Sequence, residues 1–461
     1  MKQETIFIYG APASGKSTIG RALAEALGRV FIDLDARIVE DAGCSIPEIF
    51  KNEGEPAFRD RETASLKAVI AEADAPRVVS LGGGTLLRDQ NRAMAEAAGR
   101  VVCIDTPDDA ELSRRLGLAP GSRPLGNKAI ERAPHYASFP NRIARAFKLP
   151  YSFVIVGKGF ASALIDSSRT VFDGTVAAAY PELAAGRLAT IPSGEVNKTP
   201  QTVMDLWHAF AGAGLGRKNT VFACGGGVTG DLTGFAAATW MRGIPWINVP
   251  TTLLSMVDAS TGGKTGCDLP EGKNLAGAFH SPRLVLIDVD FLETLPARER
   301  ACGRAEMIKH EVIGGLPWSV DVSRLPTAQE IAANLAVKVG IVEEDPFERT
   351  GKRMLLNCGH TIGHAVEKTS NYTLSHGESV AIGCVEEARF AVSRGLAPAT
   401  WPEELAARFA AAGLPTQYPA GMDFDSLKAV MRGDKKREGS SVTFTLPCGK
   451  GDVRAVKVDL A

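Results

Sequence analysis

Arg353-Met-Leu-Leu-Asn357-Cys-Gly-His360-Thr-Ile-Gly-His364-Ala-Val-Glu367 is the stretch on which the interpretation of this chain depends. Wound as one helix, it places its polar side chains four or three residues apart, which forms a continuous stripe. A solvated stripe is more often built of Lys and Glu than of an Arg, an Asn and two imidazoles interrupted by glycines, which are poor helix formers. We therefore predict that this stripe faces an internal polar site.

A third imidazole follows closely, in the turn Ser-His376-Gly-Glu. Three of the seven histidines in the chain thus lie within 17 residues. Because His360 and His364 are one helical turn apart, they are close enough to serve a metal ion or an anionic substrate. The clustering indicates a functional site rather than scattered surface histidines.

Length and composition describe an ordinary globular protein. The chain has 461 residues, enough for about three domains, with 45% hydrophobic and 23% charged residues. A net charge of -1 gives no basic field of the kind that binds nucleic acid. The eight cysteines form no Cys-x-x-Cys pair, and no apolar run approaches the length of a membrane span. We expect a cytoplasmic protein that acts on small molecules, binds no nucleic acid and enters no membrane.

The N-terminal region has the pattern of a strand, a phosphate-binding loop and a helix. The apolar run Thr5 to Tyr9 leads into Gly10-Ala-Pro-Ala-Ser-Gly15-Lys16-Ser17, and a helix follows from Thr18. Backbone amides around Gly15 can cradle phosphates, Lys16 can reach the β and γ oxygens, and Ser17 can hold Mg²⁺. Two later strands deliver Asp33-Leu-Asp35 and Gly82-Gly83-Gly84. Taken alone, Asp33-Leu-Asp35 is better explained as a polar loop entry, and Gly82-Gly83-Gly84 can be a plain tight turn.

With Ser45-Ile-Pro-Glu-Ile-Phe50, Arg59, Glu62, Arg123 and Arg132 added, residues 1 to about 136 resemble shikimate kinase. The resemblance implies ATP- and Mg²⁺-dependent 3-phosphorylation of shikimate. It implies that Asp33 lies near Mg²⁺ and aligns the hydroxyl, while Arg123 closes over the phosphoryl group from a lid. Arg114 or Arg115 would stack on adenine. Shikimate would be bound by Asp35, Arg59, Gly83 and Arg132, and ATP by Gly10, Ala13, Ser14, Gly15, Lys16, Ser17, Thr18 and Arg123.

Beyond Tyr136 the last strand and helix of that family are not apparent. We therefore expect a kinase-like domain at 1–139, truncated at its C-terminal end, and a linker at 140–150.

Glycine-rich turns dominate the next region. A buried strand turns through Gly225-Gly226-Gly227-Val228-Thr-Gly230-Asp231 into a helix, which suits a pyrophosphate, although phosphate loops, sugar turns and plain packing share such glycines. Lys264, Lys273 and Asn274 lie on later glycine-rich turns, as an anionic sugar acid phosphate would require. From Thr294 onward helical periodicity takes over, and Glu306 falls beside Lys309 on one face.

These motifs resemble 3-dehydroquinate synthase from Asp173 to Lys436, and they occur in the same order. The further signatures are Gly194-Glu-x-x-Lys198, Pro250-Thr-Thr-Leu-Leu, Asp258, Asn357-x-Gly-His-Thr-x-Gly-His364, His376-Gly-Glu and Asp434-Lys-Lys436. The resemblance implies an α/β NAD-binding domain at 151–299 and a mainly helical metal- and substrate-binding domain at 300–461. Together with the resemblance of the N-terminal region to a P-loop kinase domain with a parallel sheet, this implies a bifunctional fusion in the shikimate pathway.

The synthase reaction implied is conversion of 3-deoxy-D-arabino-heptulosonate 7-phosphate to 3-dehydroquinate with loss of phosphate. NAD⁺ would oxidise one carbinol and later return the hydride. The resemblance implies zinc or cobalt held by Glu306, His360 and His376. A rival set, Glu306 with His310 one turn on, also has metal-ligand spacing. We favour the first set because it recruits the polar stripe.

The resemblance also assigns the remaining site residues. NAD contacts would be Asp173, Glu195, Lys198, Gly226, Gly227, Val228, Asp231, Thr251, Thr252, Asp258, Lys273 and Thr294. Substrate contacts would be Arg242, Lys264, Asn274, Lys309, Arg353, Asn357, His364 and Lys435 or Lys436, with Lys264, Lys309 and His364 also catalytic. Arg242 would reach the site of a neighbouring subunit, which implies a homodimer.

Two other interpretations compete with this one. A metal-dependent polyol dehydrogenase would share the architecture, but a neutral polyol needs no cluster of lysines. The N-terminal part could instead be a non-catalytic nucleotide-binding module, although a relic would not need Lys16, Asp33, Arg59, Arg123 and Arg132 together.

Overall fold

The chain folds into two units. The computed structural model describes residues 4–72, 74–118, 126–432, 437–438 and 441–460. Unit 1 comprises Met1–Cys224, Ala236–Val249 and Pro282–Asp290, and unit 2 comprises Gly225–Phe235, Pro250–Ser281 and Phe291–Ala461. A large, mostly parallel sheet in unit 1 and a mainly helical unit 2 confirm the predicted fold class.

The strands and helices have the following bounds in chain order. The strands are β1 (Thr5–Gly10), β2 (Val30–Asp33), β3 (Arg77–Ser80), β4 (Gly99–Ile104), β5 (Arg142–Leu149), β6 (Ser152–Lys158), β7 (Thr170–Asp173), β8 (Ala189–Ile191), β9 (Val221–Gly225), β10 (Trp246–Pro250), β11 (Lys264–Leu269), β12 (Gly272–Phe279), β13 (Leu284–Asp288), β14 (Arg437–Glu438), β15 (Ser441–Gly449) and β16 (Asp452–Asp459). The helices are α1 (Lys16–Leu27), α2 (Leu34–Ala42), α3 (Ile46–Asn52), α4 (Gly54–Ala71), α5 (Asp89–Ala98), α6 (Asp109–Arg115), α7 (Gly126–Ala137), α8 (Gly174–Ala179), α9 (Pro200–Gly212), α10 (Gly227–Thr239), α11 (Ala297–Gly314), α12 (Ala328–Glu344), α13 (His360–Thr369), α14 (His376–Ser393), α15 (Trp401–Ala411) and α16 (Phe424–Arg432).

Unit 1 is built on one sheet with the strand order β2-β3-β1-β4-β5-β6-β13-β10-β9-β7-β8. β1 is buried along nearly its whole length, as a central parallel strand covered on both faces should be. Strands β1 to β5 pair in parallel, and β6 pairs in parallel with β13. The single antiparallel pairing described in this sheet is the β5–β6 hairpin, where the direction of the strands reverses.

Strand β5 corrects two predictions from the sequence. The expected linker at 140–150 is instead a strand, and it supplies the last strand that the sequence did not reveal. Ile143, Phe147 and Leu149 are buried, whereas Arg145 and Lys148 are exposed. A register shift between Ile143 and Arg145 breaks the alternation of buried and exposed residues, which explains why the pattern was missed.

The sheet also changes the predicted domain limits. Because β5 pairs with both β4 and β6, the region predicted as 1–139 and most strands of the region predicted as 151–299 belong to one unit. Residues Pro250–Ser281, placed by the sequence in the middle domain, belong to unit 2 instead.

Unit 2 contains α11 to α16, the β11–β12 hairpin and the small sheet β14-β15-β16. Its apolar core includes Ile308 of α11, Val380 of α14 and Leu405 of α15, and a second core joins α13 and α16 to β15. None of the helices in the described part of the chain has the length and hydropathy needed to cross a membrane.

The β5–β6 hairpin, at which the strand direction reverses, gives a prediction about the stability of the protein. A Cβ atom at Gly157 of β6 would collide with the backbone of Arg142 and lie 3.0 Å from Ile143 Cα. We expect Gly157→Ala to lower the free energy of unfolding by about 1–3 kcal/mol, because the backbones cannot separate without losing ladder bonds. Chemical denaturation would measure the change, and amide exchange should show a loss of protection in both β5 and β13, the strands that flank β6.

The matched control is Gly212→Ala at the end of α9, where a Cβ would meet nothing within 4 Å. This change should be neutral or stabilising by up to about 1 kcal/mol. Equal stability of the two variants would contradict the prediction.

Candidate functional site

The polar stripe is not one continuous helix. A short 3-10 helix covers Lys352–Asn357, the chain then leaves helical geometry at Cys358, and α13 begins at His360. Gly359 has a φ of 75°, and a Cβ there would collide with Cys384 of α14. The predicted helix from Arg353 to Glu367 is therefore wrong, because the close approach of α14 requires a turn at this glycine.

A buried carboxylate fixes the start of α13. Glu387 of α14 is fully buried and accepts hydrogen bonds from the backbone N–H groups of Gly359 at 2.8 Å and Ile362 at 3.1 Å. These donors have no partner within the helix, and the positive end of the helix favours a negative charge. The position of His360 in the first turn of α13 is thus set by a contact to α14.

Glu306, His360 and His376 converge in unit 2. One ligand atom from each lies within 4.8 Å of the others, and Glu306 on α11 is fully buried. Glu306 Oε1 lies 3.2 Å from His376 Nε2 and 3.7 Å from His360 Nε2. His376 begins α14 directly after Ser375, whose side chain forms a capping box with Glu378. Three separate helices therefore bring one carboxylate and two imidazoles to one point.

The imidazole of His360 is oriented by the backbone. Its Nδ1 lies 3.0 Å from the carbonyl oxygen of Cys358, so a proton on Nδ1 is donated there and Nε2 presents its lone pair to Glu306. Burial lowers the pKa of His360 well below its usual value. A neutral imidazole with a fixed tautomer is what metal binding requires.

Two lysines neutralise the carboxylates at this point. Lys309 is buried against Glu306 and lies 3.7 Å from Asp258, and Lys338 forms an ion pair with the same aspartate. Although burial opposes ionisation, Lys309 keeps the pKa of Glu306 and that of Asp258 below their usual values. The site is therefore a charge-compensated cluster rather than a lone pair of acids.

Sequence reasoning missed Lys338. It is almost fully buried on α12, and its ammonium donates to the backbone carbonyl of Asp258 at 2.5 Å as well as contacting the carboxylate. The available signal was a single lysine in the otherwise apolar run Leu335 to Val342, because a buried lysine requires a charged partner.

The rival metal set has a different environment. Asp258, Glu306 and His310 also lie within 4.8 Å of one another, but the two carboxylates already face lysines. His310 is buried, and its Nδ1 lies 2.9 Å from Asn334 Oδ1. Burial, followed by the charge of Lys309, lowers the pKa of His310 to about 4. A third triplet consists of His364, Glu367 and His376.

Other predicted synthase residues also belong to unit 2. The ammonium of Lys264 pairs with Glu348 at 2.6 Å, another residue that sequence reasoning did not name. Arg353 is buried and donates to the carbonyls of Gly262 at 3.0 Å and Pro346 at 2.9 Å. The remaining predictions are placed as follows: the ring of His364 lies 5.2 Å from that of His360, Asn274 has a left-handed φ of 52°, Asn357 is half-buried, and Lys435 lies outside the described residues.

The predicted dinucleotide residues fall on both units. In unit 1, Asp173 caps α8 by accepting from the N–H of Thr175 at 2.8 Å and from the Ser193 hydroxyl at 2.6 Å, and Glu195 and Lys198 follow in the next turn. In unit 2, a Cβ at Gly226 would lie 3.1 Å from Thr252, and Thr251 N donates to Gly225 O at 2.9 Å. The others in unit 2 are Gly227, Val228 and Asp231 on α10, Asp258 and Lys273 in the charged site, and Thr294 at the end of a 3-10 helix.

The phosphate loop has the expected form. Ala13 and Gly15 have left-handed φ angles of 59° and 100°, and Lys16 donates to Ala11 O at 2.8 Å. Ser17, at the start of α1, donates to Asp33 Oδ2 at 2.6 Å, which is an arrangement suited to Mg²⁺. Gly10, Ser14 and Thr18 complete the loop and the first turn of the helix. Arg115 closes one side by donating to Ser14 O at 3.0 Å, while exposed Arg114 pairs with Glu111.

The predicted shikimate residues form a second cluster in unit 1. Buried Glu62 holds Arg59 at 2.5 Å, and a Cβ at Gly82 would lie 2.6 Å from Asp35 and 2.7 Å from Glu62. Burial, followed by the charge of Glu62, raises the pKa of Asp35 to about 6.

The Gly82–Gly84 turn is tied to α7. The hydroxyl of Tyr136 donates to Gly83 O at 2.8 Å and interacts with Arg132. The predicted lid residue Arg123 lies outside the described residues.

Comparison with known proteins agrees with both halves of this geometry. Family models match residues 12–143 as shikimate kinase, 188–302 as the N-terminal part of 3-dehydroquinate synthase and 303–437 as its C-terminal part. A 3-dehydroquinate synthase of Xanthomonas oryzae pv. oryzae is 44% identical over 365 residues, which cover 76% of this chain and 89% of that protein. One from a Synechococcus strain is 45% identical over 281 residues, covering 57% and 75%.

A solved structure supports the same fold. The 2-epi-5-epi-valiolone synthase from Streptomyces hygroscopicus, with NAD⁺ and Zn²⁺ bound, is 28% identical with a TM-score of 0.59, and the match covers 68% of this chain and 94% of that one. Together with the family models, these matches show that the chain belongs to the 3-dehydroquinate synthase family and carries a shikimate kinase domain at its N-terminal end.

Proposed function

We propose that Glu306, His360 and His376 hold the divalent metal of the synthase site, zinc or cobalt, and that the observation carrying this function is their convergence within 4.8 Å. One carboxylate and two imidazoles leave coordination positions open for substrate, as a catalytic site requires. The donors fit a metal because Glu306 is fully buried and His360 has a fixed tautomer. When bound, the metal would polarise substrate oxygens, and NAD⁺ would take and return a hydride during release of phosphate.

The charged side chains around this point would bind the substrate, 3-deoxy-D-arabino-heptulosonate 7-phosphate. Lys264, Lys309, Asn274 and His364 would take its carboxylate and hydroxyls, and Arg353 and Asn357 its phosphate end. We add Lys338, because its buried ammonium shares Asp258 with Lys309. Ion pairs keep two ammonium groups oriented before the ligands arrive: that of Lys264, paired with Glu348, for the substrate, and that of Lys273, paired with Glu367, for NAD⁺.

This charge distribution favours the synthase over a polyol dehydrogenase. Lys264, Lys309 and Lys338 are each held by a carboxylate of the protein, and binding a neutral polyol would require no such set of buried or oriented ammonium groups. Phosphate release without accumulation of NADH would support the synthase. Steady NADH formation on a polyol would support the dehydrogenase.

Metal removal gives the first prediction for this function. A chelator that binds zinc much more tightly than magnesium should abolish phosphate release from the heptulosonate phosphate, while shikimate-dependent ADP formation in excess Mg²⁺ stays unchanged. Added Zn²⁺ or Co²⁺ should restore the synthase activity. Phosphate release that survives complete removal of transition metals would rule out the proposed metal role.

For the kinase site we propose that Asp35, Arg59, Gly83 and Arg132 bind shikimate, that the phosphate loop from Gly10 to Thr18 binds ATP, and that Asp33 and Ser17 serve Mg²⁺. The ammonium of Lys16 donates to the carbonyl of Ala11 in the same loop, and the hydroxyl of Ser17 donates to Asp33. These contacts support a nucleotide site that is ordered before the nucleotide binds. A non-catalytic module would show the same low rate of shikimate-dependent ADP release with Lys16→Ala as with the unmodified protein. We expect the variant to lose that activity and to keep the synthase activity.

The raised pKa of Asp35 predicts that removing its charge increases the stability of the protein and abolishes its kinase activity. Because the folded carboxyl has a pKa of about 6, above the unfolded value, ionised Asp35 opposes folding at pH 7. We expect Asp35→Asn to raise the free energy of unfolding by about 1–3 kcal/mol at pH 7 and to abolish shikimate phosphorylation. The increase in the free energy of unfolding should become smaller as the pH falls from about 6 and should vanish below about 4.

Thermal unfolding would measure this change in the free energy of unfolding. Amide exchange in β1 to β4 would measure it independently. Asp41→Asn, an exposed aspartate on the same helix, is the control and should alter neither stability nor activity. A destabilised Asp35→Asn at pH 7 would contradict the prediction.

We also propose a cytoplasmic homodimer in which Arg242 reaches the site of the neighbouring subunit. Arg242 is exposed, and both it and Met241 have left-handed φ angles, 68° and 50°, which cost energy in residues other than glycine. Such strain on an exposed turn supports a binding role. All eight cysteines are free thiols, as a reducing compartment favours.

A subunit-mixing experiment tests the dimer. Arg242→Ala and His360→Ala should each be inactive in the synthase reaction, whereas random mixing should restore about a quarter of the original activity, because half of the dimers then contain one complete site. Absence of any recovery, with exchange of subunits verified by mass, would exclude a site completed by the partner.

A further inference from the structure

One carboxylate of the charged site has so far been described only as the ion-pair partner of Lys273. Glu367 on α13 is 7% exposed, and its two oxygens face different partners. Oε1 accepts a hydrogen bond from the ammonium of Lys273 at 2.9 Å, and Oε2 lies 3.7 Å from Nδ1 of His376. The carboxylate therefore stands between a proposed dinucleotide contact and a proposed metal ligand.

The ring of His376 has a carboxylate at each nitrogen. Nε2 faces Glu306 at 3.2 Å, while Nδ1 faces Glu367. A neutral imidazole that donates from Nδ1 keeps the lone pair on Nε2, and a carboxylate partner makes that lone pair more basic. His360 obtains the same tautomer from the carbonyl of Cys358. Each proposed histidine ligand thus has its own oxygen acceptor facing Nδ1, the ring nitrogen on the side away from Glu306.

The position of Glu367 on α13 strengthens this assignment. Glu367 follows His360 by seven residues, two helical turns, so both side chains project from the same face of one rigid helix. Helix α13 therefore supplies the proposed ligand His360 and also the carboxylate of Glu367, which faces Nδ1 of the other proposed ligand, His376. The ammonium of Lys273 is held in addition by the ring of Tyr372, 4.4 Å from its centroid.

We propose that Glu367 is a positioning residue that fixes the orientation and tautomer of His376 for metal binding and, through the same carboxylate, holds Lys273 of the β11–β12 hairpin next to that ligand. This inference rests on the proposed metal function of Glu306, His360 and His376. It gives Glu367 no contact with the reacting atoms.

Metal affinity of the full-length protein, measured without NAD⁺ or substrate, tests the proposal. Competition with a chromophoric chelator should show Zn²⁺ or Co²⁺ bound about 10- to 100-fold more weakly by Glu367→Gln than by the unmodified protein. Lys273→Met should change metal affinity less than about twofold while weakening NAD⁺ binding. Lys368→Gln, at the next and exposed position of α13, is the matched control and should change neither.

Three results would overturn the proposal. Unchanged metal affinity in Glu367→Gln would do so directly. An equal loss in Lys273→Met would show that Glu367 acts only as an anchor for the hairpin. Loss of a second bound ion with the first retained would assign Glu367 to a separate cation site with His364 and His376. If the unmodified protein binds no transition metal, the proposed function itself fails.

A measurement on the unmodified protein keeps the proposal testable should Glu367→Gln fail to fold. Nitrogen chemical shifts of the His376 ring in the metal-loaded protein should show Nδ1 protonated and Nε2 coordinated. Coordination through Nδ1 would overturn the assignment.

Discussion

Compensation of buried charge is the constraint on which the synthase site depends. Asp258, Glu306, Lys309 and Lys338 meet in the interior of unit 2, where the charges of two carboxylates are balanced by two ammonium groups. Burying such groups costs several kcal/mol each and is recovered only when every charge has a close partner. The cluster is therefore weak evidence for stability and stronger evidence for function, because an apolar core of the same volume would fold at least as well.

Close helix packing holds this cluster in place. Gly383 of α14 passes so near the carbonyl of Gly359 that a Cβ would collide with it, and a Cβ at Gly377 would lie 2.5 Å from Cys302 Cα of α11. The helices α11, α13 and α14 can therefore approach closely enough for side chains from each to reach one point. Glycines that look unfavourable in a helical pattern are required here by the neighbouring helix rather than by their own segment.

Prediction from the sequence was most successful where chemistry and local structure coincide. The phosphate loop needs Gly15, Lys16 and Ser17 at fixed spacing, so strand, loop and helix could be placed directly. The convergence of Glu306, His360 and His376 was also expected, from a resemblance to known proteins and because this set, unlike the one with His310, includes a histidine of the polar stripe.

Long-range contacts account for what sequence reasoning missed. The break at Gly359 follows from contacts with Cys384 and Glu387, far along the chain, which no helical period can reveal. Strand β5 escaped detection because a bulge disturbs its alternation, and Lys338 because its partner, Asp258, is 80 residues away. For Gly359 and Lys338 the deciding neighbour is distant in sequence, so local propensity carried no information about it.

The reversal of strand direction at the β5–β6 hairpin determines the edges of the sheet at which the ligands of the two activities would bind. Val221 N donates to Pro245 O near the start of β9 and β10, and Thr251 N to Gly225 O near their ends, so these strands run together, as do β7 and β9. Their carboxyl ends, including Asp173, lie at the opposite edge of the sheet from the phosphate loop that follows β1. Since ligands of open parallel sheets bind at the carboxyl ends of the strands, a ligand at the phosphate loop and a ligand beside Asp173 would approach the sheet of unit 1 from opposite edges. Sharing one sheet therefore gives the fused chain no common ligand opening in unit 1, and the fusion would ensure equal synthesis of the two activities.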